Sequence, residues 1–309
     1  MILKRFHNAS LIILIGLFSI SAFGQSIFDY SDTLNKKRRN FVWATEVVGA
    51  GTSIAMLNAV WYKNYPRTPL HSFNDNDQWL LMDKTGHMMT SYYVGLAGIE
   101  TMKWSGVNSR KFALIGGSLG LMYLTGVELL DGTSEAWGFS WGDMAANASG
   151  FVLAGGQELL WQKQKIKLRV SAHLTNYALY RPNVLGSSTP ERLLKDYNGQ
   201  TYWLSANLKS LFFEDMDKFP RWLNLAVGYS AEEMISGNDA ADFCIENPAL
   251  CGEFQRYSQG FLSLDIDLTE IQWKRKFFKT LFGSIGWIKF PAPTLEWSRG
   301  KVKGHWIYF

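Results

Sequence analysis

The stretch Ile166-Lys167-Leu168-Arg169-Val170-Ser171-Ala172-His173-Leu174 decides the fold class, because apolar and polar residues alternate along it with a period of two. That is the pattern of a strand with one apolar and one polar face. Everything before it reads differently. Between Phe41 and Trp161 the apolar residues come in long runs rich in Gly and Ala, which predict helices near 41–62, 83–104, 110–130 and 141–162. The breaks are turn chemistry: Asn64-Tyr65-Pro66-Arg67-Thr68-Pro69, Gly106-Val107-Asn108-Ser109 and Asp131-Gly132-Thr133-Ser134. Four helices with short connections predict a bundle. Further along, Leu262, Leu264, Ile266 and Leu268 alternate with Ser263, Asp265, Asp267 and Thr269. Segments 202–208 and 223–229 read as two more strands, with shorter ones near 284–290, 294–299 and 303–309. The chain is therefore α+β: an N-terminal four-helix bundle, then a C-terminal antiparallel β-sheet or small β-barrel of six to eight strands.

The N-terminus precedes the fold. Lys4 and Arg5, the apolar run from Leu11 to Phe18, and the small residues Ala22 and Gly24 predict a signal peptide over residues 1–24. No cysteine follows the expected cut, so an acyl anchor is not expected. Residues 25–40 read as a basic lead-in, with Lys36-Lys37-Arg38-Arg39 as its charge cluster, followed by a helical domain over 41–165 and a β domain over 166–309. Export places the chain in the cell envelope, at the outer membrane or in the periplasm, where thiols oxidise. Cys244 and Cys251 flank a polar, proline-containing segment and are expected to form a local disulfide. Neither has a histidine at metal-ligand spacing, which speaks against zinc.

Composition narrows the classes. The chain of 309 residues is 47% hydrophobic and 15% aromatic with a net charge of +4, which excludes a disordered chain. No broad basic face interleaved with aromatics is present, so nucleic acid is not an expected partner. The run around Phe112–Val127 is apolar enough to cross a membrane, but the other helices carry Glu46, Asn58, Glu100, Lys103 or Asn147. The expectation is a compact bundle at or partly in a membrane, with full spanning as the alternative. For the β half, export, alternation and the terminal Trp306-Ile307-Tyr308-Phe309 favour an outer-membrane barrel, while a soluble sheet packed on helices is the other reading. Segment 273–282 reads as an amphipathic helix with Trp273, Phe277 and Leu281 on one side and Lys274, Arg275 and Lys276 near the other, suited to a headgroup layer or an ordinary surface.

Function concentrates in Trp79-Leu80-Leu81-Met82-Asp83-Lys84-Thr85-Gly86-His87 and in residues near 128–147. Ionised groups in apolar helical stretches must find partners. Asp83 and His87 are four apart and share a helix face, as do Asp143 and Asn147 on the last helix, with Glu128 and Asp131 closing a third. Three readings follow. His87, Glu128 and Asp143 can ligate a divalent metal. His87 can act as general acid or base, oriented by Asp83, with Lys84 stabilising an anion. Or the groups are structural: Asp83 caps its helix, Ser140 and Asp143 form a capping box, and Lys84 pairs with Glu128. Trp79, Trp137 and Trp141 add aromatic surface of the kind that holds lipid or sugar. The binding candidates are thus Trp79, Glu128, Asp131, Trp137, Ser140, Trp141, Asp143 and Asn147, and no cofactor is expected.

At these residues the chain resembles the YfiM-like family of envelope proteins of unknown function. The family pattern W-x-x-x-D-K-x-x-H, then E-x-x-D, then W-G-x-S-W-x-D is met by Trp79, Asp83, Lys84, His87, Glu128, Asp131, Trp137, Ser140, Trp141 and Asp143. The likeness covers roughly 75–162. A weaker similarity, to VanZ-like membrane proteins, rests on Asp83-Lys84-x-x-His87, Glu128, Ser140, Asp143, Asn147 and Gly150. It implies a helical membrane fold linked to the envelope. Neither likeness implies a reaction. The expected role is a non-catalytic binding or scaffold protein of the envelope touching membrane or envelope lipid. The alternative is an enzyme or ligand site acting on an envelope lipid or peptidoglycan precursor.

Overall fold

The computed structural model describes residues 31, 33–63, 65–107, 110–238 and 241–309, and the signal segment predicted over 1–24 lies outside them. The chain divides into two compact units. The first takes residues up to Asp75 together with Gly86–Gln164, and the second takes Asn76–Thr85 with Lys165–Phe309.

The first unit is helical. α1 (Lys36–Leu57) starts at Asn35, whose side chain accepts the Arg38 N–H at 3.1 Å, and runs into one π turn at Asn58–Tyr62. It therefore begins earlier than the apolar pattern predicts and takes in the basic run. α2 (Met82–Trp104, in this unit from Gly86 onward), α3 (Lys111–Gly132) and α4 (Trp141–Trp161) follow. Glycines bring these helices to backbone contact. An ideal Cβ on Gly120 of α3 would meet the Ser91 carbonyl of α2, and one on Gly150 of α4 would meet the Met88 carbonyl. Tyr92, Ile99, Met102, Ala113 and Ala154 are buried there. Among the described residues one helix, Phe112–Gly132, is long and apolar enough to cross a membrane, by length and composition alone.

The second unit is a six-stranded antiparallel meander in the order β1 (Ile166–Ala172), β2 (Gln200–Asn207), β3 (Leu223–Glu232), β4 (Tyr257–Ile266), β5 (Ala292–Ser298) and β6 (Lys301–Tyr308). The register aligns Leu204, Val227, Leu262 and Leu295 in one cross-strand row. That row is exposed, while its polar neighbours are buried. Alternation gives a strand two faces but does not say which one turns inward. Here the inner face holds Arg169, whose Nε and Nη2 lie 3.0 Å from Asp265 and 3.0 Å from Asp267, and Lys167, 2.8 Å from Asp267. Burial pushes the Asp267 carboxyl up, but Lys167 and Arg169 outweigh it and hold the group well below the usual carboxylate range.

The expected β-barrel is corrected: the sheet is open. The outer edge of β1 is taken by segment 287–289, not by β6. Val170 N–H donates to the Trp287 carbonyl and Lys289 N–H to the Val170 carbonyl, both at 2.9 Å. The region near 284–290 is thus a single bridge instead of a strand. Before it, α5 (Lys276–Ser284) replaces the predicted 273–282 helix. Trp273 precedes this helix and stacks on Phe282 at 4.5 Å, which takes it away from the line of Phe277 and Leu281. Cys244 and Cys251 are bonded to each other, with Cα atoms 4.7 Å apart.

Trp79, Leu80 and Leu81 take φ values of 50°, 48° and 65° in succession. Left-handed backbone costs L-residues about 1–2 kcal/mol each. Contacts within the second unit hold the turn. Trp79 N–H donates to the Gly237 carbonyl at 2.6 Å, and Tyr229 Oη donates to the Leu80 carbonyl at 2.6 Å.

Candidate functional site

In the first unit, α2 carries His87, α3 carries Glu128 and Asp131, and α4 begins at Ser140 and carries Asp143 and Asn147. α4 starts there because Ser140 has an extended backbone and its Oγ accepts the Asp143 N–H at 3.1 Å, an N-cap bond. The Ser140 backbone N–H donates to Glu128 Oε2 at 3.1 Å, and the Ser140 hydroxyl donates to Asp75 Oδ1 at 2.6 Å. One serine thereby joins the end of α3, the start of α4 and the loop at Asp75.

Glu128 Oε1 faces His87 Nδ1 at 3.7 Å, and Asn147 Oδ1 lies 3.1 Å from the same nitrogen. Of the two oxygens, Asn147 Oδ1 is within hydrogen-bond distance, and the tautomer that suits both carries its proton on Nδ1. Glu128 and Asn147 are at most 1% exposed, while the His87 side chain is 18% exposed. Ser91 Oγ donates to the Asn147 carbonyl at 2.7 Å, tying α4 to α2 one turn after His87. Asp131 is used separately and accepts from Tyr62 Oη at 2.8 Å. Burial first, and Asp131 next, push that phenol far above its ordinary value.

The remaining sequence candidates have partners of their own. Asp83 and Lys84 belong to the second unit, where Asp83 Oδ1 accepts from Tyr197 Oη at 2.8 Å and the Lys84 ammonium lies 4.0 Å from Asp83. Trp79 also belongs there and packs edge-on against Tyr197. In the first unit Trp137 sits edge-on against Tyr62 and Tyr65, and Trp141 is 73% exposed beside Phe139. Sequence reasoning missed Asp75 and Tyr62, and the polar turn Asn74-Asp75-Asn76-Asp77 was the one available hint. As ligands, His87 and Asp143 have donor atoms within 4.8 Å of each other, close enough to reach one cation. Glu128 faces His87 Nδ1, the nitrogen that Asn147 also meets, a position from which a carboxylate orients an imidazole.

The Glu128 carboxyl is pushed up to about 7. Burial is the main cause, His87 and the Ser140 N–H offset part of it, and Asp143 and Asp131 add to it. A carboxyl whose folded value exceeds its ordinary 4.5 binds its proton more tightly when folded. Its contribution to stability is full below about 4.5 and is lost as pH rises through about 7. Glu128→Gln is neutral throughout, so its melting temperature relative to wild type is expected to rise from about pH 5 to about pH 8. Thermal melts across that range check this. An offset that stays flat with pH would mean Glu128 ionises as it does in water.

With this geometry in hand, the comparisons narrow the setting. Residues 72–156 match one family. It is described as "Predicted periplasmic lipoprotein (DUF2279)", a domain of unknown function, and the matched span holds His87, Glu128, Ser140, Asp143 and Asn147. The chain is an exported protein of the cell envelope. Comparison with curated proteins and with solved structures gives no match.

Proposed function

We propose that the chain is a non-catalytic envelope protein with a binding or scaffold role at the outer membrane, and that the His87–Glu128–Ser140–Asn147 constellation is the clamp of its helical unit. One observation carries the reading: the buried polar groups are joined to one another across three helices. Glu128 reaches both Ser140 N–H and His87, Asn147 reaches His87, and Ser140 reaches Asp75. The YfiM-like resemblance on the same stretch supports the envelope part. Removing His87 leaves buried Glu128 and Asn147 short of a partner, a loss of about 1–3 kcal/mol.

His87→Ala and Asp143→Ala are therefore expected to lower the melting temperature and the amount of protein in the envelope fraction. A second reading, a ligand or reaction site for an envelope lipid or peptidoglycan precursor, is favoured by the partial exposure of His87 above its buried orienting partners. Its outcome differs. Variants as stable and abundant as wild type that lose an envelope phenotype would replace the clamp with that site.

A further inference from the structure

Over much of the sheet the two faces are inverted relative to a sheet in water; inward Trp203, Ala226 and Phe261 form an apolar cluster, and outward Tyr202, Tyr229 and Ala231 pack with Trp79, Leu80 and Met82. The inward positions hold Arg169, Asp265, Asp267 and Lys289, each at most 1% exposed. Lys289 lies 4.6 Å above the Trp203 ring and donates to the Leu264 and Phe290 carbonyls, both at 3.1 Å. Burial, with Arg169 adding to it and Asp265 opposing it, pushes that amine down to about 8. On the last strand His305 Nε2 lies 2.7 Å and the exposed Lys303 Nζ 3.6 Å from the buried Glu296.

The outward positions follow from the register. Leu204 pairs with Val227, Val227 with Leu262, Leu262 with Leu295, and Trp297 with Val302. Trp297 is 69% and Val302 70% exposed, and Trp306 is 90% exposed. No outward position on any of the six strands holds Asp, Glu, Lys or Arg. In water this arrangement is unfavourable twice, since ionised groups are buried and large apolar groups are not. A medium of hydrocarbon removes the second cost. A protein partner would ordinarily meet a polar rim around an apolar centre.

The neighbouring α5 adds charge complementarity. Phe277 is 68% exposed, Leu281 one turn on is also exposed, and Lys274, Arg275 and Lys279 are exposed around them. A short helix that mixes exposed aromatics with cations suits the boundary between anionic headgroups and acyl chains.

We propose that the outward face of this open sheet, from Leu204 to Trp306, rests in the acyl chains of a lipid bilayer, with α5 at the headgroups. The sheet lies against the membrane and does not need to close, because only the face enters lipid: on one edge Val170 of β1 is paired with 287–289, and the free edge of β6 stays at the level of the headgroups. The proposal rests on the envelope reading only in requiring a bilayer. Failure of the His87 clamp would leave it untouched.

Because Cys244 and Cys251 are bonded and no free cysteine occurs among the described residues, one introduced cysteine can be labelled selectively. The mature chain carrying Val227→Cys, Leu295→Cys or, as control, the exposed loop change Asp217→Cys is labelled with an environment-sensitive fluorophore and reconstituted in phosphatidylcholine–phosphatidylglycerol vesicles. Labels at 227 and 295 are expected to be quenched at least about twofold by acyl-chain-brominated lipid and shielded from iodide, with the reverse at 217. Labels at 227 and 295 that iodide reaches as readily as 217 would overturn the proposal. Shielding from both quenchers would overturn it too, by showing a second copy or another protein on the face.

Discussion

Arg169→Leu is expected to cost about 3–5 kcal/mol, because it strips the shared cation from two carboxylates that stay buried. Asp265 and Asp267 are both 0% exposed, and Arg169 reaches each of them at 3.0 Å. Asp267 keeps Lys167 at 2.8 Å, while Asp265 keeps the Ser205 hydroxyl as its partner. The lowered carboxyl of Asp267 contributes stability above its ordinary 3.8 that is lost as pH falls below it. Without the guanidinium the stability that ionised Asp267 contributes above 3.8 shrinks, and the buried acids are best tolerated when protonated, so the deficit of the variant is expected to narrow as pH falls. The measurement is the urea midpoint in detergent micelles, with Arg169→Leu/Asp265→Asn expected to recover part of the loss. Arg299→Leu is the contrast. Arg299 is half-exposed on Glu233 at 2.7 Å, and an exposed pair contributes about 1 kcal/mol or less. Equal costs for the two arginines would contradict the charged interior.

Gly150→Ala is expected to cost about 1–3 kcal/mol by forcing α4 off α2. Its Cβ would fall on the Met88 carbonyl and lie 2.8 Å from Ser91 Cβ and 2.9 Å from Tyr92 N. Two of those three obstacles are backbone, which cannot turn aside. Three residues before Gly150, Asn147 faces His87, so the same displacement loosens the clamp. Gly156→Ala, on the same helix, meets only Val152 Cγ1 at 4.0 Å. There the gain in helix propensity is about 0.5–1 kcal/mol, so the two substitutions should differ in sign. Thermal melts of both variants decide it. A Gly150→Ala protein as stable as the Gly156→Ala protein would show that the helices do not touch at backbone level.

Local pattern made the elements legible, and tertiary placement set what they do. Runs of Ala, Gly and aliphatic residues marked the four long helices to within a few residues, and alternation marked the sheet. The direction of burial was not readable from alternation, because Lys167, Arg169 and Ser171 give the same period whichever face turns inward. Closure was not readable either. It depended on Val170 pairing with 287–289, a bridge too short to leave a pattern. At the site, spacing placed Asp143 and Asn147 on one helix and Ser140 at its cap, and the structure brings His87, Glu128, Ser140 and Asn147 together. Asp75 and Tyr62 escaped notice because each acts through one long-range hydrogen bond. The left-handed run at Trp79–Leu81 escaped because nothing in three ordinary apolar residues signals positive φ.

The clamp is tested most directly by a double-mutant cycle of His87→Ala and Glu128→Gln, read as unfolding free energies in detergent at about pH 6, just below the raised value of about 7 at the Glu128 carboxyl. A coupling of about 1 kcal/mol or more, with each single variant less stable than wild type, is the expected result for residues in contact within one network. Coupling below about 0.3 kcal/mol with single variants as stable as wild type would contradict it, leaving His87 and Glu128 as independent groups.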